Sequence, residues 1–409
     1  MTGVVITGVG AICALGDKPP DIHRALCEAR AGFGAGTVFS EQAGSYRAAE
    51  VRAFAPRDYL GPRNLRPLDR TGQLAAVAAE LALADGGWTP GQREGREIGL
   101  VLGTTFCSAR TIGEFDRRAM REGPEYASPL DFANTVINAA AGQVAIWHRL
   151  RGVNSTISTG GASGLHAVGY AAQLIRAGRE TALIAGGAEE LCFESYLGFL
   201  RAGVLCDPAE GGPAEGPRPF DVRRNGCVLG EGAGFLVLEA EEAAAARGAR
   251  VIGRIAGFGA AYDSRQAMER ADGANALTYA IERALATSAT TEIGAVMASA
   301  SGSPVLDARE ATAIREALGA RRRRVPVTTI KGHLGEAQGA SGALQTIMML
   351  ASLQSRRLPP IGGLQQPDAH FDLDFVTGAP RPLEAACGLV TSLAREGNCC
   401  ALVVAGPTG

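Results

Sequence analysis

Short apolar, β-branched runs alternate along this chain with longer alanine-rich stretches whose apolar residues recur at helical spacing. The runs Val4–Thr7, Ile98–Leu102, Ser155–Ser158, Thr181–Ala185 and Phe235–Leu238 predict strands in the first part. Val251–Ile255, Ala295–Ser299, Val325–Thr329, Cys387–Ser392 and Ala401–Val404 predict strands in the second. Helices are predicted at Leu74–Asp85, Ser163–Ala177, Ala274–Ala286, Glu310–Leu318 and Gly339–Ser355. Strand runs without polar alternation are covered on both faces, so the pattern predicts α/β layering with buried parallel strands. The charged, alanine-rich passage Glu239–Arg250 separates the two strand sets and marks a join, giving halves at 1–245 and 246–409. Both carry a strand, a glycine turn and a small-residue helix, without an obvious sequence repeat. Gly211–Pro219, rich in Gly, Pro and Glu, predicts a surface loop.

Length agrees with that division. At 409 residues the chain exceeds the roughly 250–300 at which single cores stop growing. A composition of 46% hydrophobic and 20% charged residues, with 55 glycines, describes a packed, turn-rich globular protein. The net charge of −2 leaves no global basic field to hold nucleic acid or an anionic membrane. No run approaches the roughly 18 apolar residues that span a bilayer. The apolar N-terminus has no basic leader and predicts a buried strand, not a signal peptide. The nine cysteines show no CxxC pair and no metal-ligand spacing, and an odd count in a large chain reads as reduced thiols in a cytoplasm. One local charge run stands out. Arg321–Arg324 reads either as a solvated loop or as a docking point for an acidic partner.

The chemistry-bearing segment is Ser155-Thr-Ile-Ser-Thr-Gly-Gly-Ala-Ser-Gly-Leu-His166, which reads as strand, glycine turn and helix. A helix N-terminus there favours an anion or a thiolate, and a nucleophile belongs at such a turn. Glycine occupies it. The segment resembles the nucleophile elbow of β-ketoacyl synthases, S-T-G-C-T-S-G-L-D-A, with Ser158, Thr159, Gly160, Ser163, Gly164, Leu165 and Ala167 matching. Gly161 stands at the cysteine position and His166 at the acidic one. Arg218-Pro-Phe-Asp221, Arg224, Gly226 and Gly230-Glu-Gly-Ala-Gly234 resemble the family's next block, R-P-F-D…R-x-G…G-E-G-A-G. Ala298–Pro304 with Asp307 and Glu310 aligns with A-H-G-T-G-T-P-x-x-D-x-x-E, and Ser299 takes the histidine position. Lys331–Gly342 aligns with K-x-x-x-G-H-x-x-G-A-A-G, retaining Lys331 and placing Glu336 where the second histidine would be. His333 sits three residues early, and sliding the frame to it breaks the match of Lys331 and of Gly339 to Gly342. In the last block, N-S-F-G-F-G-G-T-N-A, only Ser392 and Gly397 survive, and Arg395 and Glu396 replace a flexible apolar gate.

The resemblance implies a thiolase-like α/β fold built from two similar α-β-α-β-α halves, and no metal or cofactor. It also implies a lost reaction. Condensation needs a thiolate to carry the acyl chain and donors for the enolate formed on decarboxylation. Gly161 has nothing to acylate, Ser299 offers one hydroxyl, and an ionised Glu336 would repel the enolate. Cys107, Cys192 and Cys227 read as small buried residues rather than substitutes. The chain thus resembles the chain-length factor, or β subunit, of type II polyketide synthases. That class implies a heterodimer with an active ketosynthase, which itself meets the acyl carrier protein. It departs in having Gly161 where factors of aromatic systems usually have glutamine, and so leans toward reducing, polyene-building systems. The resemblance places tunnel-gating positions at Ala109, Ile112 and Asp116, with Phe106 and Phe115 as bulky neighbours; such spacing equally fits plain core. Ser128–Gln143 resembles a dimer-interface strand and helix, where Phe132 would meet the partner and Asn134 and Asn138 would bond across the two-fold or cap turns. The competing reading is a stand-alone malonyl-thioester decarboxylase or acyltransferase using Ser299, Glu336 or His333.

Overall fold

The computed structural model describes residues 2–38, 47–93, 97–206, 216–264, 276–288 and 292–407. Eleven strands form one sheet: β1 Val4–Cys13, β2 Gly99–Gly103, β3 Asn154–Ile157, β4 Ala182–Glu189, β5 Gly232–Ala240, β6 Gly253–Tyr262, β7 Val296–Met297, β8 Pro326–Thr328, β9 Asp374–Phe375, β10 Cys387–Leu393 and β11 Asn398–Ala405. Their order is β9-β8-β7-β10-β11-β6-β1-β5-β4-β2-β3. With the short edge strand β9 set aside, the five strands of each half are arranged identically. Numbered within its half, each set runs 1-5-4-2-3, with antiparallel pairing at its inner two contacts and parallel pairing at its outer two. The halves meet where β1 pairs with β6 through Val5–Arg254 and Ile6–Gly253. The short helix Glu241–Ala246 lies in the passage expected to join them.

The expectation of buried parallel strands holds only for the outer strands. β10 and β11 are linked by four residues, and a link that short permits only an antiparallel hairpin. Burial runs continuously along β4, β5 and β10 because both sheet faces are covered. The helices are α1 Arg70–Asp85, α2 Ala109–Glu122, α3 Ala139–His148, α4 Ser163–Arg176, α5 Phe193–Arg201, α6 Ala276–Ala286, α7 Pro304–Leu318 and α8 Ser341–Ser355. α1 covers one side and α6 the other, while α4 and α8 pack on each other and against strands of both halves. That contact is close: a side chain on Gly342 would collide with the backbone of Leu165. α1 starts where the Asp69 side chain accepts the Gly72 N–H, and α7 where Ser303 accepts the Leu306 N–H with Pro304 next in line.

Two expectations need correction. Of the predicted surface loop, residues 211–215 lie outside the described set, and Gly216, Pro217 and Pro219 are not displayed on the surface as that composition implied. Those residues feed Phe220 into an aromatic cluster, its ring 4.7 Å from that of Phe375, so packing overrides their turn-like composition. Residues 128–138 form no strand; the short helix Pro129–Phe132 and a turn precede α3. The arginine run is partly fixed, with Arg322 and Arg323 each 2.8 Å from Asp372. Pro19–Cys27, α2, α3 and α5 escaped the periodicity. No described helix is long and apolar enough to cross a membrane.

Candidate functional site

The glycine turn is built as the motif predicts. β3 ends at Ile157, Gly160 takes φ +62, and α4 begins at Ser163. Ser163 staples the turn: its Oγ accepts the Thr159 N–H at 2.8 Å and donates to the Gly160 carbonyl at 2.6 Å. α4 has no side-chain N-cap, so the first-turn N–H groups retain their pull on negative charge. Gly161 has room for a side chain. A β-carbon there would lie 3.8 Å from Gln338 Oε1 and approach nothing nearer, and its φ is outside the left-handed region. Ser392 Oγ donates to the Gly161 carbonyl at 3.2 Å. His166, one turn into α4, lies 3.2 Å from Thr159 Oγ1 through Nδ1, and burial lowers its pKa.

Ser299 and Glu336 meet at Lys331. Its Nζ lies 2.9 Å from Ser299 Oγ and 2.6 Å from Glu336 Oε2, with Lys331 itself only 2% exposed. Glu336 Oε1 accepts the Ser341 hydroxyl at 2.8 Å and the Gln338 N–H at 2.9 Å. Glu310 receives the Ser299 N–H at 2.7 Å and the Thr391 hydroxyl at 2.6 Å, and burial raises its pKa. The expected repulsion by Glu336 therefore needs revising, because its charge is neutralised by Lys331. The consequence for chemistry is unchanged: the ammonium is committed to a carboxylate rather than offered to an enolate.

His333 is not brought to this corner. It is buried, its Nε2 lies 3.0 Å from the Pro360 carbonyl, and burial lowers its pKa. No thiol substitutes for the missing cysteine either. Burial pushes Cys107 and Cys192 up to about 11 and raises Cys227 further, the reverse of an activated nucleophile. Among the described residues no group of three or more His, Cys, Asp and Glu is placed to hold a metal.

Arg395 and Glu396 form the turn between β10 and β11, and the Glu396 carboxylate occupies the place a side chain on Gly160 would take. The same two residues border a cleft of about 380 Å³ whose apolar wall includes Phe106, Ala109, Gly198 and Phe199. Phe106 meets Phe199 edge-on with centroids 6.3 Å apart. Of the other gate positions, Ile112 is half-buried and Asp116 exposed on α2, and neither lines this cleft. Phe115 packs instead on Phe132, at 6.0 Å between centroids. Asn134 is buried, its Nδ2 donating to the Pro67 carbonyl of its own chain at 3.1 Å. Asn138 is exposed and precedes α3 without a side-chain cap bond. Sequence reasoning missed Glu189 and Glu190, both buried at the end of β4 beside this cleft. An acidic pair directly after a continuous apolar strand was the available signal.

Residues 1–244 match the model of the beta-ketoacyl synthase N-terminal domain, and residues 252–365 that of the C-terminal domain. The chain belongs to the beta-ketoacyl synthase family. Two of the similar relatives have different roles. The 3-oxoacyl-[acyl-carrier-protein] synthase 2 of Synechocystis sp. is 31% identical over 400 residues, covering 97% of this chain and 96% of that one. The tetracenomycin polyketide synthase ketoacyl synthase beta subunit of Streptomyces glaucescens is 34% identical over 409 residues, covering 98% of both. Among solved structures, the ishigamide ketosynthase/chain length factor superposes with a TM-score of 0.90 at 28% identity, covering 100% of both chains. The ketosynthase fold is thus present from end to end.

Proposed function

We propose that this chain is a chain-length factor: a non-acylated subunit that pairs with an active ketosynthase and shapes the tunnel in which a polyketide elongates. The observation that carries the reading is the corner at Lys331, where a buried ammonium is committed to Ser299 and Glu336, the residues the resemblance puts at the two histidine positions, while the Gly161 turn carries no side chain. Such a site cannot form an acyl-enzyme or stabilise an enolate. Two further features support a partner. Met120, Tyr126, Leu130, Phe132, Val136 and Ile146 are exposed large apolar residues within one stretch of 27 positions, a concentration that marks an interaction surface. The likeness to a beta subunit and to a ketosynthase/chain length factor points the same way. The acyl carrier protein then engages this chain mainly through its partner. Gly161 in place of glutamine favours a reducing, polyene-building system.

Co-expression with an active ketosynthase tests the proposal. A stoichiometric complex is expected, and Leu130→Asp, at a side chain in a residue 75% exposed, should dissociate it without unfolding the chain. Mass spectrometry after loading from malonyl- or acyl-carrier protein should place the acyl group on the ketosynthase alone. A stable homodimer that binds no ketosynthase, acyl label on this chain, or release of acetyl-carrier by the isolated chain would instead support a decarboxylase or acyltransferase.

A further inference from the structure

Glu189 and Glu190 take no part in the Lys331 corner, yet both are buried, at 2% and 4% exposure. Glu189 Oε2 accepts the N–H groups of Thr105 at 2.6 Å and Gly339 at 3.1 Å, and Oε1 accepts the Phe106 N–H at 2.9 Å and the Thr104 hydroxyl at 3.2 Å. One carboxylate thereby ties the segment before α2 to the turn before α8. Glu190 Oε1 accepts the Arg110 N–H in the first turn of α2, at 3.0 Å. Phe106 and Ala109, two residues of the cleft wall, lie within the span these carboxylates hold. That span is irregular. Cys107 adopts a left-handed φ of 52, and the Thr105 hydroxyl is buried without a partner. The two side chains therefore supply the restraint that a strand or helix would supply elsewhere.

We propose that Glu189 and Glu190 are positioning residues for the cleft wall, and that their ionisation sets how firmly Phe106 and Ala109 are held. The inference rests on the proposed tunnel role only for its effect on products.

The charged surroundings fix the sign. Glu190 faces Asp69 at the start of α1, Arg110 of α2 and its neighbour Glu189. Cys107 feels both Asp69 and Glu189. Burial pushes Glu189 up to about 7 and Glu190 up to about 8 from an ordinary value of 4.5, against the hydrogen bonds, which lower both. A carboxyl raised in the folded state contributes stability that is complete below its ordinary pKa and lost as pH rises through the raised one. Opening that wets these groups is therefore favoured by increasing pH. A carboxyl whose pKa stands one pH unit above its ordinary value favours the closed form about tenfold while it stays protonated. Protection of the amides in residues 104–112 should therefore fall at least ~10-fold between pH 5.5 and 8.

Hydrogen–deuterium exchange by mass spectrometry on the full chain in its ketosynthase complex, corrected for intrinsic exchange rates, measures this directly. Glu190→Gln retains an acceptor for the Arg110 N–H but cannot ionise, so its pH dependence should be visibly flatter than wild type. Glu189→Gln turns an amide NH₂ toward three backbone donors and should lower protection at every pH. Should that variant fail to fold, the wild-type series and Glu190→Gln decide the matter. Wild-type protection that does not change with pH, or a Glu190→Gln profile that follows wild type, overturns the proposal. Product-length distributions from the same complexes separate the two readings: altered protection with unaltered products upholds the positioning role and removes the tunnel role of the cleft.

Discussion

Replacing Lys331 by methionine should destabilise the fold by about 3–5 kcal/mol, the usual cost of stranding one member of a buried ion pair. The structure supports the upper part of that range. The ammonium is 2.6 Å from Glu336 Oε2, and the two side chains are 2% and 11% exposed. Glu336 would retain the Ser341 hydroxyl and the Gln338 N–H, but both bond Oε1 and leave Oε2 without its cation. Ser299 Oγ would lose a charged donor at 2.9 Å as well. Methionine fills a similar volume, so little of the loss should come from a cavity. Glu336→Gln alone should also cost, because it leaves the ammonium buried. The double variant Lys331→Met/Glu336→Gln removes both charges and should recover much of the loss, a coupling of about 2 kcal/mol or more. Urea unfolding provides the assay, with the midpoints compared only where the slopes agree. A single-variant loss under about 1 kcal/mol, or a double variant as unstable as the two losses added together, would refute the reasoning. Either result would mean that the corner is wet and that the pair is not what holds it.

Gly161→Cys should fold with a stability change within about 1 kcal/mol, since its side chain meets nothing closer than Gln338 and its backbone suits any residue. Its thiol should react with iodoacetamide faster than the buried native cysteines, as mass spectrometry of the modified peptide would show, yet condensation should not return without histidines at 299 and 336. An unreactive thiol would mean that the turn is closed. Ala109→Trp should shorten the products of the reconstituted complex by filling the cleft of about 380 Å³, read from the product mass distribution. Unchanged products with an intact complex would place the tunnel elsewhere.

Most of the scaffold was legible in the residue pattern because buried strands in this fold are continuous apolar runs, and β4, β5 and β10 are covered on both faces. Pairing direction was not legible. It depends on which strands become neighbours after residues far apart in sequence come together, as when β1 docks between β5 and β6. At the site, the motif frame kept Glu336 and set aside His333, and the structure puts Glu336 against Lys331 and His333 against the Pro360 carbonyl. What escaped was the charge balance. Lys331 and Glu336 are five residues apart on either side of a tight turn at Gly335, and only the fold shows that their side chains close on each other. Glu189 and Glu190 escaped for a related reason. Two acids after an apolar strand look like its exit to solvent, whereas here the strand ends inside the protein, against the N-terminal turn of α2. Asn134 was ambiguous in the sequence because an amide near an expected interface serves equally well to satisfy a carbonyl in its own chain.

On the proposed reading Gly161, Ser299 and Glu336 stand at lost catalytic positions, and their surroundings differ from what the decay of an unused active site would leave. Random loss of a buried cysteine and two histidines should strand polar atoms, since each departing side chain was itself a partner for others. Here the buried side-chain atoms without partners include none from Ser299, Lys331, Glu336, Ser341 or Thr391. Glu336 would be intolerable without Lys331, and Lys331 equally so without Glu336, while Ser299 is small enough to admit the ammonium and polar enough to accept from it. Satisfying these five side chains in a buried corner serves rigidity, and rigidity is of little use to a protein whose only remaining task is to be inert. It is of use to a subunit that must hold a wall of fixed shape against a partner through many cycles. The open space at Gly161, left beside this satisfied network, fits the proposed role: the turn is kept without a side chain that could compete with a partner for the acyl chain.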